Sequence, residues 1–163
     1  MTDAPTEWMP RERWDALVRG EDCPLCAAIA SDVDADEYGY TIVDLASGRL
    51  RLVPNQYVMG YCVFISAIHA REPYDLSPSQ RAAFFEDMTR VGLALERVFA
   101  SVKMNFEILG NAIPHLHCHI KPRYYGDPAP GQPIHPNTET VLLTPEAYAE
   151  RVSRIRAALR AGA

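Results

Sequence analysis

The chain has 163 residues, a length that predicts one domain, over residues 1–163, with a core that needs no disulfides. Sixteen Lys and Arg stand against twenty-one Asp and Glu, and the net charge of −5 argues against a surface that follows a nucleic-acid backbone. No apolar run approaches the roughly 20 residues of a membrane span, and residues 1–5 do not resemble a signal peptide. We therefore expect a cytoplasmic protein with no nucleic-acid or membrane partner.

The N-terminal part of the chain predicts two short helices and contains a pair of cysteines. An amphipathic pattern predicts the first helix from Pro10 to about Arg19, and Asp22-Cys23-Pro24 is typical of a second helix start. Cys23 and Cys26 form a C-x-x-C pair. In a cytoplasmic chain this pair indicates metal ligands, a redox motif or two buried thiols rather than a disulfide.

Four short runs rich in β-branched, aromatic and aliphatic residues predict strands, because turn residues bound each of them. They are residues 38–45, 50–53, 61–66 and 104–109. The proline-rich segment 126–136 predicts a loop.

Two longer helices have clear start signals. Ser77-Pro78-Ser79-Gln80 offers an N-cap, a proline in the first turn and a capping-box partner, so a long helix should run from there to about Ala100. Its apolar stripe has helical spacing: Phe84, Met88, Val91, Leu95 and Val98. Thr144-Pro145 repeats the signal for a C-terminal helix over about 145–160, with its own stripe: Tyr148, Val152, Ile155 and Leu159.

Three of the five histidines alternate along one short segment, at His115, His117 and His119. A strand would place these imidazoles on one face and the apolar residues between them in the core. His115 and His119 would then lie about 13 Å apart, too far to share one metal ion. We expect one end histidine to join other metal ligands and the remaining pair to act on a phosphate or acyl centre, because imidazole is a nucleophile near neutral pH. The alternative is an exposed histidine-rich strand or an adventitious metal site.

This segment resembles the histidine triad (HIT) superfamily, whose signature is His-φ-His-φ-His-φ-φ with φ apolar. His115 to Lys121 fits the signature except at Lys121. The longer string from Gly110 to Tyr124 is similar to a bacterial branch related to diadenosine polyphosphate hydrolases. The resemblance covers about residues 23–125, and the C-terminal helix lies outside it. It implies an α+β fold, with an antiparallel sheet of about five strands, the long helix across one face and the site on the other, and it implies a homodimer.

The resemblance also implies roles for individual residues. His117 would attack the α-phosphorus of a small-molecule nucleotide, and water would hydrolyse the nucleotidyl-histidine that forms. His119 would contact the phosphate and help the leaving group take its proton. Polar ligands would be Asn105 and Asn111 at the α-phosphate and Asn55 at the ribose. The alternative is that Asn105 and Asn111 are simple turn residues. The next two cations, Lys121 and Arg123, either neutralise a polyphosphate or lie solvated at a strand end.

A metal site follows from the same resemblance, because His69 lies where zinc-containing members have a histidine. Its ligands would be Cys23, Cys26, His69 and His115, holding one structural zinc per chain. No organic cofactor is expected.

One departure from the family concerns Tyr61, since many members have Gly-His where this chain has Gly60-Tyr61. A phenol titrates near 10 and cannot relay protons at neutral pH. Hydrolysis of a dinucleoside polyphosphate or related nucleotide adduct is nevertheless favoured, because the related uridylyltransferases have Gln where His119 stands. The alternatives are a biosynthetic nucleotidyltransferase and a nucleotide-binding regulatory protein with weak or no catalysis.

Overall fold

The computed structural model describes residues 8–135 and 139–162. The helices are α1 (Arg11–Val18), α2 (Pro24–Ala30), α3 (Pro78–Phe99) and α4 (Pro145–Ala161), with a 3₁₀ turn at Pro73–Asp75. The strands are β1 (Ala35–Asp36), β2 (Gly39–Leu45), β3 (Gly48–Leu52), β4 (Cys62–Ser66), β5 (Lys103–Glu107) and β6 (His117–Arg123). In the described part of the chain, no helix is long and apolar enough to cross a membrane.

The strands form one antiparallel sheet in the order β1-β2-β3-β4-β6-β5. This confirms the α+β fold class. The expected count of about five strands is one too low, because β1 pairs only Ala35 and Asp36 with Tyr40 and Gly39. Two residues are too few to produce a period-2 pattern, so no local pattern indicates this strand.

Helix α3 packs across one face of the sheet. The Ser77 hydroxyl accepts a hydrogen bond from the Gln80 backbone amide, and the Gln80 side chain accepts one from the Ser77 backbone amide. This confirms the predicted capping box. The predicted stripe is buried except for Val98, which is partly buried. Helix α4 packs beside α3 and against β2, and its four predicted core residues are buried. The core therefore lies between the helices and this face.

The other face of the sheet carries the histidines. Leu116, Cys118 and Ile120 are at most 1% exposed and point into the core, so the alternate residues of β6 point away from α3. His117 pairs with Ile65 of β4, and His119 lies between Val63 of β4 and Glu107 of β5. His115 precedes the first residue of β6. The expected face is therefore formed, although the strand begins two residues later than the alternation suggests.

Candidate active site and metal centre

The four predicted metal ligands converge at the start of β6. Their ligand atoms all lie within 4.8 Å of one another. Cys26 Sγ is 3.2 Å from His69 Nδ1 and 3.4 Å from His115 Nδ1, and the two Nδ1 atoms are 3.2 Å apart. Four N and S ligands around one zinc ion would be separated by about 3.3–3.8 Å, from the usual bond lengths and tetrahedral angles. The cluster has the dimensions of a metal site.

Both histidines of this cluster turn the same ring nitrogen toward the thiols. His115 Nε2 lies 2.8 Å from the Ser66 carbonyl oxygen, and His69 Nε2 lies 3.0 Å from the Val18 carbonyl oxygen. Because a carbonyl oxygen only accepts, each Nε2 carries the proton and each Nδ1 presents a lone pair to the cluster. This arrangement fits a bound cation better than a redox dithiol.

The cluster joins the N-terminal helices to the sheet. Cys23 is the N-cap of α2, Cys26 lies in its first turn, and the end of α1 supplies the Val18 carbonyl. Gly20 has φ +82°, and the position of a Cβ there would be 3.6 Å from the His69 ring. Burial and the neighbouring Cys23 raise the pKa of Cys26, so a cation is needed to hold the Cys26 sulfur as a thiolate.

In His117 the two ring nitrogens have the opposite roles from those in His115. Its Nδ1 lies 2.6 Å from the His115 carbonyl oxygen, which can only accept, so Nδ1 carries the proton. The lone pair is therefore on Nε2. Burial lowers the pKa of His117, which keeps the imidazole neutral and nucleophilic at pH 7.

His119 has a different partner at the same ring position. The Tyr61 hydroxyl lies 2.6 Å from His119 Nδ1, and the centroids of the His117 and His119 rings are 5.0 Å apart. Burial lowers the pKa of His119 to about 4, with further lowering from His117 and from the Lys121 ammonium. Burial also raises the pKa of Tyr61, so the phenol stays protonated.

Lys121 and Arg123 are both held by other groups of the protein. Lys121 is 4% exposed, and its Nζ lies 2.8 Å from Glu107 Oε2. Arg123 makes two hydrogen bonds to the Asp127 carboxylate and a third, of 2.7 Å, to Asn105 Oδ1. The interpretation of Lys121 as a solvated strand end is wrong, and its charge is already paired.

The three predicted asparagines lie in different surroundings. Asn105 lies opposite Lys121 on the histidine face, with its Oδ1 bound by Arg123. Asn111 is exposed in the bend before His115. Asn55 donates to the Glu139 carbonyl and accepts from the Val141 amide, so it fastens its turn to the chain before α4. Substrate contact by these residues stays a prediction.

Glu107 was missed by the sequence analysis, and the buried position of Lys121 on the histidine face was not predicted. Glu107 lies directly opposite His119, and Lys121 follows His119 at the next same-face position. For Lys121 the signal was present, since it continues the alternation of the histidines and replaces an apolar residue of the signature. Glu107 required the register between β5 and β6. Glu107, Asn105 and Arg123 also line a cleft of about 780 Å³ between β5 and the loop that follows β6.

Comparisons with known proteins agree with this geometry. The family model described as the HIT domain matches residues 55–126. A curated relative is "Protein hit" of Bacillus subtilis (strain 168), 24% identical over 114 residues, which cover 64% of this chain and 72% of that protein.

Solved structures of histidine triad proteins share the fold. The histidine triad protein blr8122 of Bradyrhizobium japonicum is 25% identical with a TM-score of 0.70, over 76% of this chain and 92% of that one. A zinc-bound histidine triad family protein of Mycobacterium smegmatis is 20% identical with a TM-score of 0.62, over 86% of this chain and 94% of that one. The resemblance to the superfamily is confirmed, and the narrower hydrolase branch stays a prediction.

Proposed function

We propose, from the premise that residues 55–126 are a HIT domain, that this chain is a nucleotide hydrolase. It cleaves at an α-phosphorus and forms a covalent nucleotidyl intermediate on His117. The observation that supports this best is the 2.6 Å contact from His117 Nδ1 to the His115 carbonyl oxygen, which places the proton on Nδ1 and the lone pair on Nε2.

In the proposed first step, His117 reacts as a neutral imidazole with its proton on Nδ1. His117 Nε2 donates its lone pair to phosphorus, and the bond from phosphorus to the leaving oxygen breaks. The positive charge that develops on the ring is stabilised through Nδ1–H by the His115 carbonyl. Water then attacks the phosphorus, and the bond from phosphorus to His117 Nε2 breaks with its electron pair returning to the ring. The nucleotide leaves as the monophosphate, and the proton lost by the attacking water goes to solvent. His119, beside His117 on the same face, is placed to contact the phosphate oxygens.

The proposed substrate is a dinucleoside polyphosphate or a related nucleotide adduct. The cleft lined by Asn105 and Glu107 borders the His119 side of the face and offers room for part of such a molecule. A regulatory nucleotide-binding protein is the second candidate, because Tyr61 stands where a titratable histidine is usual. A nucleotidyltransferase would use the same first step and resolve the intermediate with an acceptor other than water.

We also propose that the Cys23, Cys26, His69 and His115 cluster holds one structural zinc ion. The ligand set, the separations of its atoms and the carbonyl partners of both imidazoles fit zinc. The Mycobacterium smegmatis relative is described as zinc-bound. Four protein ligands leave no open position, so the ion would stabilise the fold and take no part in the reaction.

A homodimer through the free edge of β5 completes the proposal. β5 is the last strand of the sheet, and apolar residues beside that edge are exposed, among them Val102, Phe106 and Leu109. An unpaired apolar edge is favoured for pairing with a second copy. A monomer by light scattering at micromolar concentration would contradict this. A cytoplasmic location stays a prediction.

The decisive experiment is a screen of candidate nucleotides with the wild-type protein and His117→Ala, with products identified by mass. His135→Ala, which removes an exposed histidine of the loop after β6, is the control. We expect a nucleoside monophosphate product from the wild type and the control only. Binding without turnover would favour the regulatory protein, and product formation only when an alcohol or sugar-phosphate acceptor is added would favour the transferase.

A further inference from the structure

The partner of His119 Nδ1 points to a restriction on the leaving group, an inference that rests on the proposed function. We propose that Tyr61 is a positioning residue that fixes His119 as the neutral tautomer with its proton on Nε2. His119 then donates a hydrogen bond to the phosphate but no proton to the leaving group. The site therefore favours leaving groups that depart as stable anions, namely the phosphate chain of a phosphoanhydride, over amines.

The backbone of Tyr61 is held rigidly in place. Gln56 is 3% exposed and donates to the Tyr61 and Val53 carbonyl oxygens at 3.0 and 2.7 Å. Its Oε1 accepts from the Gly60 amide and from Arg151 of α4. Gly60 has φ +81°, and a Cβ there would come within 2.6 Å of the Phe99 ring, so only glycine fits this turn. The turn that carries Tyr61 is thus fixed by both α3 and α4.

The Tyr61 hydroxyl forms its hydrogen bond with the His119 ring. In residues 8–135 and 139–162, His119 Nδ1 is its only hydrogen-bond partner, at 2.6 Å. The ring packs in a small apolar cluster with Val58 and Ile134, which removes it from water. A protonated phenol can donate or accept, but the buried Tyr61 hydroxyl has no other acceptor for its hydrogen among the described residues, so it donates and Nδ1 accepts with its lone pair. The single proton of neutral His119 is therefore on Nε2.

The charged and titratable groups around His119 also favour the neutral ring. His117 and Lys121 flank it on β6, and the Lys121 ammonium lies 5.3 Å from the centroid of the Tyr61 ring. Glu107 faces His119 from β5, where its Oε2 is bound to Lys121 and its Oε1 is buried with no hydrogen-bond partner among the described residues. The Tyr57 ring packs edge-on against the Tyr61 ring, with 5.6 Å between the two ring centroids. The only carboxylate among these groups, that of Glu107, already forms an ion pair with the Lys121 ammonium.

This arrangement decides which bonds can break easily. When His117 Nε2 bonds to phosphorus, the electron pair of the broken bond goes to the leaving atom. A phosphate oxygen tolerates this charge, because a phosphate monoester has a second pKa of about 6. An amine nitrogen must receive a proton as it leaves, and neutral His119 could supply one only by becoming an imidazolate. His119 therefore suits anhydrides, and proton donation worth about 10²–10⁴ in rate is absent for amines.

The tautomer can be measured without any turnover. Long-range ¹H–¹⁵N NMR on the zinc-loaded protein, with His119→Gln to assign the ring, should show the Nε2–H form from pH 6 to 8. Tyr61→Phe should convert it to a mixture of tautomers. Tyr57→Phe, which removes a neighbouring hydroxyl that has no partner among the described residues, should leave it unchanged. An Nδ1–H or protonated ring in the wild type, or an unchanged ring in Tyr61→Phe, would overturn the proposal.

The leaving-group preference is measured with two substrates that share one nucleoside 5′-phosphoryl group. We expect kcat/KM for a dinucleoside tetraphosphate to exceed that for a nucleoside 5′-phosphoramidate by at least about 100-fold. Tyr61→His should reduce this ratio by at least about tenfold, because imidazole relays protons. Equal or inverted preference in the wild type would overturn the restriction. If neither substrate is turned over, the proposed function fails, whereas the NMR result still decides the role of Tyr61.

Discussion

The two ends of the histidine face hold the same side chain in opposite surroundings. At the start of β6, His115 meets two thiols and a second imidazole, a set of donors that attracts a cation. At the far end, the Tyr61 phenol contacts His119, and burial, His117 and the Lys121 ammonium disfavour a positive charge on the His119 ring. One end therefore suits a metal ion and the other suits an anionic phosphate.

The difference shows that the partner of one ring nitrogen assigns the task of each imidazole. His115 has Nε2 on a carbonyl and turns Nδ1 toward the cluster of Cys23, Cys26 and His69. His117 has Nδ1 on a carbonyl and keeps its lone pair on Nε2. His119 has Nδ1 on a hydroxyl and keeps a proton on Nε2. Variants at one end should therefore leave the other end intact.

The largest effect is expected from His117→Ala. Loss of the nucleophile should lower kcat/KM more than about 10⁴-fold, as for other residues that form covalent intermediates. Zinc content and melting temperature should stay near those of the wild type, since His117 is no ligand. Steady-state kinetics and metal analysis check this. Turnover within tenfold of the wild type would contradict the role of His117.

Substitution of a cysteine in the proposed zinc cluster should lower the stability of the protein. Cys26→Ser should lower zinc content well below one per chain and lower the melting temperature by about 10 °C or more, because a structural zinc contributes several kcal/mol to folding. Cys118→Ala removes a core cysteine outside the cluster and should keep one zinc per chain. Metal-free wild-type protein of unchanged stability, prepared from zinc-replete medium, would contradict the structural site.

Breaking the buried ion pair between Lys121 and Glu107 should have the next largest effect, on the free energy of unfolding. The Lys121 and Glu107 side chains are 5% and 20% exposed, so Lys121→Met leaves a largely buried carboxylate and should cost about 3–5 kcal/mol in urea unfolding. Adding Glu107→Gln should restore most of this loss. Glu150→Gln breaks the exposed pair with Arg154 and should cost less than about 1 kcal/mol. Additive losses in the double variant would show that the pair is not coupled.

The smallest expected effect is a fall in the free energy of unfolding as the pH is lowered. Because folding lowers the pKa of His119 from 6.5 to about 4, the unfolded chain binds this proton first as the pH falls. The unfolding free energy should therefore fall between pH 6.5 and 4, by at most about 3 kcal/mol from this group. His119→Gln should lose less stability over that window than the wild type. Parallel curves for His119→Gln and the wild type would exclude the shift.

Much of the fold could be predicted because its elements carry strong local signals. The capping box at Ser77 and the stripes of α3 and α4 depend on residues three or four positions apart, and the structure confirms them. The alternation from His115 to Ile120 likewise predicted which side chains enter the core. β1 gave no signal because its two residues are held only by pairing with β2.

The site was predictable where a motif carried it and hidden where tertiary contacts created it. C-x-x-C, His69 and His115 were brought together by the resemblance, and the structure places them together. The bond from Tyr61 to His119 spans 58 residues and depends on a turn fixed by Gln56 and Gly60. The pairing of Lys121 with Glu107 depends on strand register, which no local pattern contains.

The central claim is that His117 alone on this face attacks phosphorus, and a single-turnover experiment tests it most directly. The wild-type protein is mixed with a nucleotide labelled at the α-phosphate, quenched within one turnover and digested for mass mapping. The account predicts a base-stable, acid-labile label on His117, with none on His115 or His119. A label on either of those two histidines, or full product formation in His117→Ala, would contradict it.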